Sequence, residues 1–297
     1  MKCKCDNIFT KEGFLMSNKT EPVYVYALIN GEQVKTEKMS PRENPTRPDE
    51  IVGYAPLNTR EDTIKAIDAA DHAFKEWANT PLEERIQRME RAIQKLKDAN
   101  DEITELLSRE HGKPFYDSNG EMGVSLAWME FACQKARDVL KEEVKEHEAG
   151  KTYIRHEPIG VVSAITPWNY PISLSTIKIA PALIAGNTMV VKPSPFAPLA
   201  VSKVIDIIAS EFPKGVLNLV HGEAGVGEEL TSNPKVAKIA FTGGTNTAKH
   251  IMKAAADTIK HMTLELGGND AAIVLSDFDV NDERAMHRLV ISNFLTA

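Results

Sequence analysis

The sequence predicts an α/β fold built on a parallel sheet, and three observations predict it. Short apolar runs alternate with helical stretches through the second half of the chain. The first half carries a succession of helices with apolar residues at helical spacing. Polar motifs rich in glycine and proline follow the apolar runs directly, at the edge where a parallel sheet binds its ligands. The chain has 297 residues, 42% hydrophobic and 26% charged, a composition that excludes wholesale disorder.

Residues 23–29 are β-branched and aromatic and run into Asn30-Gly31, a strand entering a hairpin turn. Residues 40–58 hold four prolines and read as loop. Thr59 is a capping residue ahead of Glu61 and Asp62, with Ile64, Ile67, Ala70 and Phe74 on one helical stripe. Pro81, Glu83 and Glu84 open a second helix bearing Ile86, Met89, Ile93 and Leu96. A third runs from about 101 to 111 and stops at Gly112-Lys113-Pro114. A fourth spans about 118–141. Beyond it, strands are expected at 160–165, 188–191, 216–220, 236–241, 261–266 and 271–275. Helices are expected at 177–185, at 199–212 and from the 242–245 turn to about 260.

Charge and composition exclude several classes. Lys and Arg total 35 against 42 Asp and Glu, a net charge of −7, which argues against a general nucleic-acid binder. No apolar run approaches the ~18 residues of a membrane helix. The first residues are polar, with no secretory signal. The three cysteines, Cys3, Cys5 and Cys133, are too few and too odd in number for a disulfide scaffold, and imply a reducing, cytoplasmic setting. Cys3 and Cys5 have no second pair to complete a zinc site. Residues 1–16 read as a leader or a disordered tail, with Met16 an alternative start.

Four motifs carry chemistry. Thr242-Gly243-Gly244-Thr245 follows a strand and opens a helix, where amide donors and the helix dipole suit a phosphate. Read alone, it is equally an ordinary tight turn, and no complete G-x-G-x-x-G fingerprint exists in the chain. Lys192-Pro193-Ser194 puts a lysine at a strand end, either a donor to ribose or phosphate oxygens or a solvated surface charge. Thr166-Pro167-Trp168-Asn169-Tyr170-Pro171 is a stiff loop whose Asn169 amide suits a developing oxyanion, or else a turn with a packed Trp. Leu264-Glu265-Leu266-Gly267-Gly268-Asn269 sets a carboxylate inside an apolar strand, where burial would raise it toward a general base.

In this order and spacing, the four motifs resemble the NAD(P)-dependent aldehyde dehydrogenase superfamily. Gly31-Glu32, Gly112-Lys113-Pro114 and Glu157-Pro158-Ile159-Gly160-Val161-Val162 support the likeness, which runs from about residue 23 to the last. It implies a parallel-sheet, Rossmann-like cofactor domain over 17–137 and 158–266, a protruding oligomerisation hairpin at 138–157, and the start of a second α/β catalytic domain at 267–297. It also implies oxidation of a small aldehyde to an acid, with NAD or NADP as cofactor and a homo-oligomer for the full-length protein. Asn169 would then stabilise the oxyanion and Glu265 activate water. Lys192 and Ser194 would hold the adenosine ribose, and Gly243 and Gly244 would lie against the pyrophosphate. Ile165, Thr166, Pro167 and Trp168 would line the cleft, Gly222 and Gly225 would flank the adenine, and Leu266 and Gly267 would lie near the nicotinamide.

The chain departs from that family at three places. Gly244 and Ala248 stand where Ser and Gly are common, but both are small enough for close backbone approach. Pro195 stands where many NAD-preferring members carry Glu, a carboxylate that binds the ribose 2′-hydroxyl and repels a 2′-phosphate, so NAD and NADP both stay open. The family's nucleophilic cysteine lies farther along than Phe294-Leu295-Thr296-Ala297, where this sequence stops. Cys133 reads as a packed helical cysteine. Two readings follow: an aldehyde dehydrogenase portion inactive by itself, or an NAD(P)-binding module without catalysis.

Overall fold

The computed structural model describes residues 21–269 and 271–290. The expected leader, Cys3, Cys5, Met16 and the last residues of the chain lie outside the described residues. The chain divides into two compact units between Glu265 and Leu266.

In the first unit, β1 (Val23–Tyr24), β2 (Ala27–Ile29), β3 (Glu32–Val34), β4 (Met39–Asn44) and β5 (Arg47–Pro56) lead to α1 (Arg60–Trp77), α2 (Leu82–Asp98), α3 (Asn100–His111) and α4 (Phe115–Val139). The strands β6 (Glu143–His147) and β7 (Gly150–Ile154) form a two-stranded sheet of their own, the hairpin expected at 138–157. Then follow β8 (Val161–Ile165), α5 (Pro171–Ile184), β9 (Thr188–Lys192), α6 (Leu199–Ala209), β10 (Leu217–Leu219), α7 (Ala224–Ser232), β11 (Val236–Gly243), α8 (Thr245–Ala256) and β12 (His261–Leu266), whose last residue belongs to the second unit. In that second unit, α9 (Glu283–Val290) is the regular element.

The main sheet has the order β12-β11-β8-β9-β10-β2-β3, and β11, β8, β9 and β10 run parallel. Side chains alternate between its two covered faces. Val162, Ala164, Met189, Val191, Leu217 and Leu219 join one core with α2–α6, while Val161, Val190 and Ile239 join another with α1, α7 and α8. All five residues of β9 are buried, as a parallel strand covered on both sides requires.

Three expectations are corrected. Residues 40–58 are not loop but the antiparallel pair β4 and β5, beside β1. The prolines are tolerated because Pro45 lies in the turn, Pro48 and Pro56 lie near the ends of β5, and Pro41 occupies the edge strand β4, which can spare an N–H. Residues 271–275 form no strand; Ile273 and Leu275 are exposed, and a strand needs a neighbour to bond. Residues 224–232, for which the sequence suggested no element, form α7, where Val226 and Leu230 bury one helical stripe despite Gly225 and Gly227. In addition, α5 begins at Pro171, six residues before the expected 177.

The start of α1 shows how locally such boundaries are set. The Asp62 N–H donates to Thr59 Oγ1 at 3.2 Å and the Thr59 N–H donates to Asp62 Oδ2 at 3.0 Å, a reciprocal cap. Thr59→Ala is expected to cost about 1 kcal/mol. Urea denaturation should show a lower midpoint at an unchanged slope.

Candidate active site

Register brings the predicted motifs together at one end of the sheet. Ile165 pairs with Lys192 on one side and with Phe241 on the other, so the exits of β8, β9 and β11 lie side by side. The Thr166 N–H donates to the Lys192 carbonyl at 3.1 Å, and Ser175 Oγ donates to Thr166 Oγ1 at 3.0 Å. Thr166 is therefore buried, whereas Trp168 and Asn169, two and three residues on, are exposed. Pro167 lies between them, half-buried.

Lys192 is 8% exposed, yet among the described residues its ammonium reaches only the Pro193 carbonyl, at 3.5 Å. Burial pulls its pKa down to about 8, opposed by the negative charge of Glu223. A buried cation with three donors and one long acceptor lacks partners that ligand hydroxyls would supply. His221, buried with its Nε2 3.2 Å from Ser202 Oγ, is pulled down to about 3 by burial and then by the Lys192 charge, and is therefore neutral at physiological pH. Ser194 holds the turn after β9, accepting the Phe196 N–H at 3.3 Å.

The glycines mark close approach. Gly222 has φ +135°, and a Cβ there would come within 2.8 Å of Val226 Cγ2 and 3.2 Å of the Asn58 carbonyl. A Cβ on Gly243, the last residue of β11, would meet the Phe241 ring at 2.5 Å. Gly244 caps α8 with no side chain of its own and open space beside it, so the first amides of that helix are available to an anion. Gly225 lies in the first turn of α7, also with open space around it.

The Asn169 loop is clamped from α4 and the turn before it. Glu121, fully buried, accepts the Ile172 N–H at 2.8 Å and the Ser173 N–H at 3.1 Å, capping α5. Its other oxygen meets Lys113 Nζ at 2.6 Å. That ammonium donates onward to the Asn169 carbonyl at 3.0 Å and lies 4.4 Å from the centre of the Tyr170 ring. The His111 and Trp168 rings lie 6.0 Å apart. Glu110 does the same for α6: its two oxygens accept the Leu199 and Ala200 N–H groups at 2.8 and 2.7 Å. None of these clamping residues was singled out from the sequence beyond the Gly112-Lys113-Pro114 match; an acidic residue on a helix carries no mark of the helix it caps.

Lys178 was also missed. It lies on α5, half-buried, and donates to Thr242 Oγ1 at 2.7 Å, beside the Gly243 turn. Burial lowers its pKa and the Glu265 carboxylate raises it, so the Asn169 helix, the 242–245 turn and Glu265 share one electrostatic neighbourhood. Glu265 itself corrects the expectation of a buried base: it is exposed, because β12 is the edge strand and most of its length faces solvent. Leu266 closes β12 and Gly267 follows it, both exposed and both in the second unit. Cys133 is 3% exposed on α4, and burial, aided by Glu90, pushes its thiol up to about 12. That is a packed cysteine, not a thiolate.

A parallel sheet covered on both faces, with its polar and glycine residues gathered at the strand exits, places the chain in the class of α/β proteins that bind ligands at strand tips. The sequence model of the Aldehyde dehydrogenase family matches residues 32–297, and the chain belongs to that family. It is 37% identical over 278 residues to the NADP(+) succinate-semialdehyde dehydrogenase of Escherichia coli, covering 91% of this chain and 57% of that one. The crystal structure of an E. coli NADP-dependent enzyme superposes with a TM-score of 0.86 at 33% identity, covering 91% of this chain and 57% of that one. A Staphylococcus aureus betaine aldehyde dehydrogenase in complex with NAD+ superposes with a TM-score of 0.78 at 33% identity, covering 82% of this chain and 51% of that one. The chain thus spans about half the length of the relatives it matches.

Glu121→Ala takes the carboxylate partner from the largely buried Lys113 and uncaps α5, so it is expected to destabilise the fold by about 3–5 kcal/mol. Chemical denaturation measures the loss. Protection of the Ile172 and Ser173 amides from hydrogen exchange should fall with it. Burial lifts Glu110 from an ordinary carboxyl value of 4.5 to about 7, against the pull of its two amide donors and Arg42. The folded protein then holds a proton that the unfolded chain releases. This contribution to stability is complete below 4.5 and is lost as pH rises through about 7. Denaturation midpoints between pH 5 and 8 should fall more steeply in the native chain than in Glu110→Gln.

Proposed function

We propose that this chain is the cofactor-binding portion of an aldehyde dehydrogenase that oxidises a small aldehyde to a carboxylic acid with NAD+ or NADP+. The observation that carries this reading is the buried, under-partnered Lys192 ammonium between the Gly222 and Gly243 turns, at the tips of a parallel sheet. Lys192 and Ser194 hold the adenosine ribose. Gly243, Gly244 and the uncapped start of α8 receive the pyrophosphate. Ile165, Thr166, Pro167 and Trp168 line the cleft, Gly222 and Gly225 flank the adenine, and Leu266 and Gly267 border the nicotinamide. The cofactor, when bound, supplies the hydride acceptor.

The chain's own residues orient and polarise. The Asn169 amide, free of the contacts that hold its backbone, donates to the oxygen on which negative charge develops. Glu265, exposed and within the field of Lys178, takes a proton from water. The reaction also needs a thiolate, and Cys133 does not supply one. The described residues therefore bind the dinucleotide and supply no thiolate of their own. Residues 17–137 and 158–266 form the cofactor domain and 267–297 begin the catalytic one. The exposed hairpin β6–β7 pairs subunits into a homo-oligomer, and the low cysteine count supports a reducing, cytoplasmic setting.

NADH and NADPH fluorescence titrations of the purified chain test this reading. Saturable binding of at least one is expected, weakened on the order of tenfold or more by Lys192→Ala, which removes a charged hydrogen-bond donor. Cys133→Ser should bind as the native chain does, and neither should oxidise an aldehyde. No saturable signal with either nucleotide overturns the proposal.

A further inference from the structure

Pro195, three residues beyond Lys192, brings no side-chain charge or acceptor to the exit of β9. A carboxylate, Glu223, lies on the segment that leaves the neighbouring strand β10. β9 and β10 run parallel with Leu219 opposite Val191, and the Val220 N–H donates to the Val191 carbonyl at 3.0 Å. The segment after β10 therefore leaves the sheet beside Lys192. Its path is fixed: the His221 N–H donates to Asn58 Oδ1 at 2.8 Å, and Gly222, at φ +135°, is wedged between Val226 and Asn58. Glu223 is the first exposed residue after this pinned turn. It is the N-cap residue of α7, yet its side chain makes no cap hydrogen bond, so the carboxylate is not spent on its own helix. Its negative charge instead acts on the Lys192 ammonium.

We propose that Glu223 determines cofactor choice, its carboxylate accepting from the adenosine ribose 2′-hydroxyl opposite Lys192 and repelling a 2′-phosphate, so that this chain prefers NAD+ to NADP+. The inference rests on the dinucleotide site proposed above. The residues present fit a ribose: an under-partnered buried donor and a free acceptor lie at the neighbouring exits of β9 and β10, and the Ser194 hydroxyl, which accepts the Phe196 N–H, keeps its own proton to donate. A 2′-phosphate adds close to two negative charges, which Glu223 meets with a third. The chain would then differ from the E. coli NADP-dependent relatives to which it is similar.

Isothermal titration calorimetry of the full chain with NAD+ and with NADP+, at low and at high salt, decides the matter. NAD+ should bind about tenfold tighter or more at low salt, with the margin shrinking as salt screens the repulsion. Glu223→Gln keeps shape and hydrogen bonding but removes the charge, and should bring the two affinities together, mainly by tightening NADP+. Glu228→Gln, an exposed substitution farther along α7, should leave the ratio as it was and controls for net charge. Equal or tighter binding of NADP+ by the native chain, or an unchanged ratio in Glu223→Gln, overturns the proposal while leaving the dinucleotide site standing. Failure of both nucleotides to bind overturns that site and the proposal together.

Discussion

A sheet covered on both faces leaves polar groups one way out, the strand ends, and the rest of the molecule is arranged around that constraint. β9 is buried along its whole length, so the first ionisable group it offers is Lys192, its final residue. Even there the ammonium is nearly enclosed, which is why burial moves it so far from an ordinary lysine. The same constraint sends β8 into the Thr166 loop and β11 into the Gly243 turn. Parallel registers then place the three exits next to each other.

Neighbouring exits are of little use if the loops wander, and two buried carboxylates keep them in place. Glu110 and Glu121 lie either side of Gly112-Lys113-Pro114, and each caps the helix that follows a central strand: Glu121 caps α5 after β8, Glu110 caps α6 after β9. One short segment of chain thereby fixes the start of two crossover helices, and Lys113 extends the clamp to the Asn169 backbone. A carboxylate at a helix N-terminus is favoured by the dipole and by the unpaired amides, which offsets part of its desolvation. The offset differs between the two. Glu121 has a lysine partner, whereas Glu110 has amides and the more distant Arg42, and its pKa is lifted accordingly.

Features with a local cause were legible in the sequence. The Thr59 cap, the Gly112 stop, the apolar strands at 161–165 and 188–192 and the glycine turn before α8 each depend on residues within a few positions. Features caused at a distance were not. Pro171 starts α5 because Glu121, fifty residues earlier, accepts the next two amides, and no periodicity near 171 reveals that. The prolines of 40–58 argue for loop only until β4 is known to be an edge. Glu265 lies in an apolar pattern that matches a buried strand, and its exposure follows from the place of β12 in the sheet order. Lys178 is a lone cation on an apolar helix, with no spacing to mark it, and only the fold sets it against Thr242.

Lys192 joins the energetic and functional arguments. Taking an ammonium out of water without adequate acceptors lowers the stability of the free protein. A fold that retains such a charge at its strand tips, with the Glu223 carboxylate acting on it and left out of a helix cap, is less stable than it could be at that spot. A ligand bearing hydroxyls would complete the donors of Lys192 and engage Glu223 as acceptor, so its binding free energy and the relief of this local cost act in the same direction.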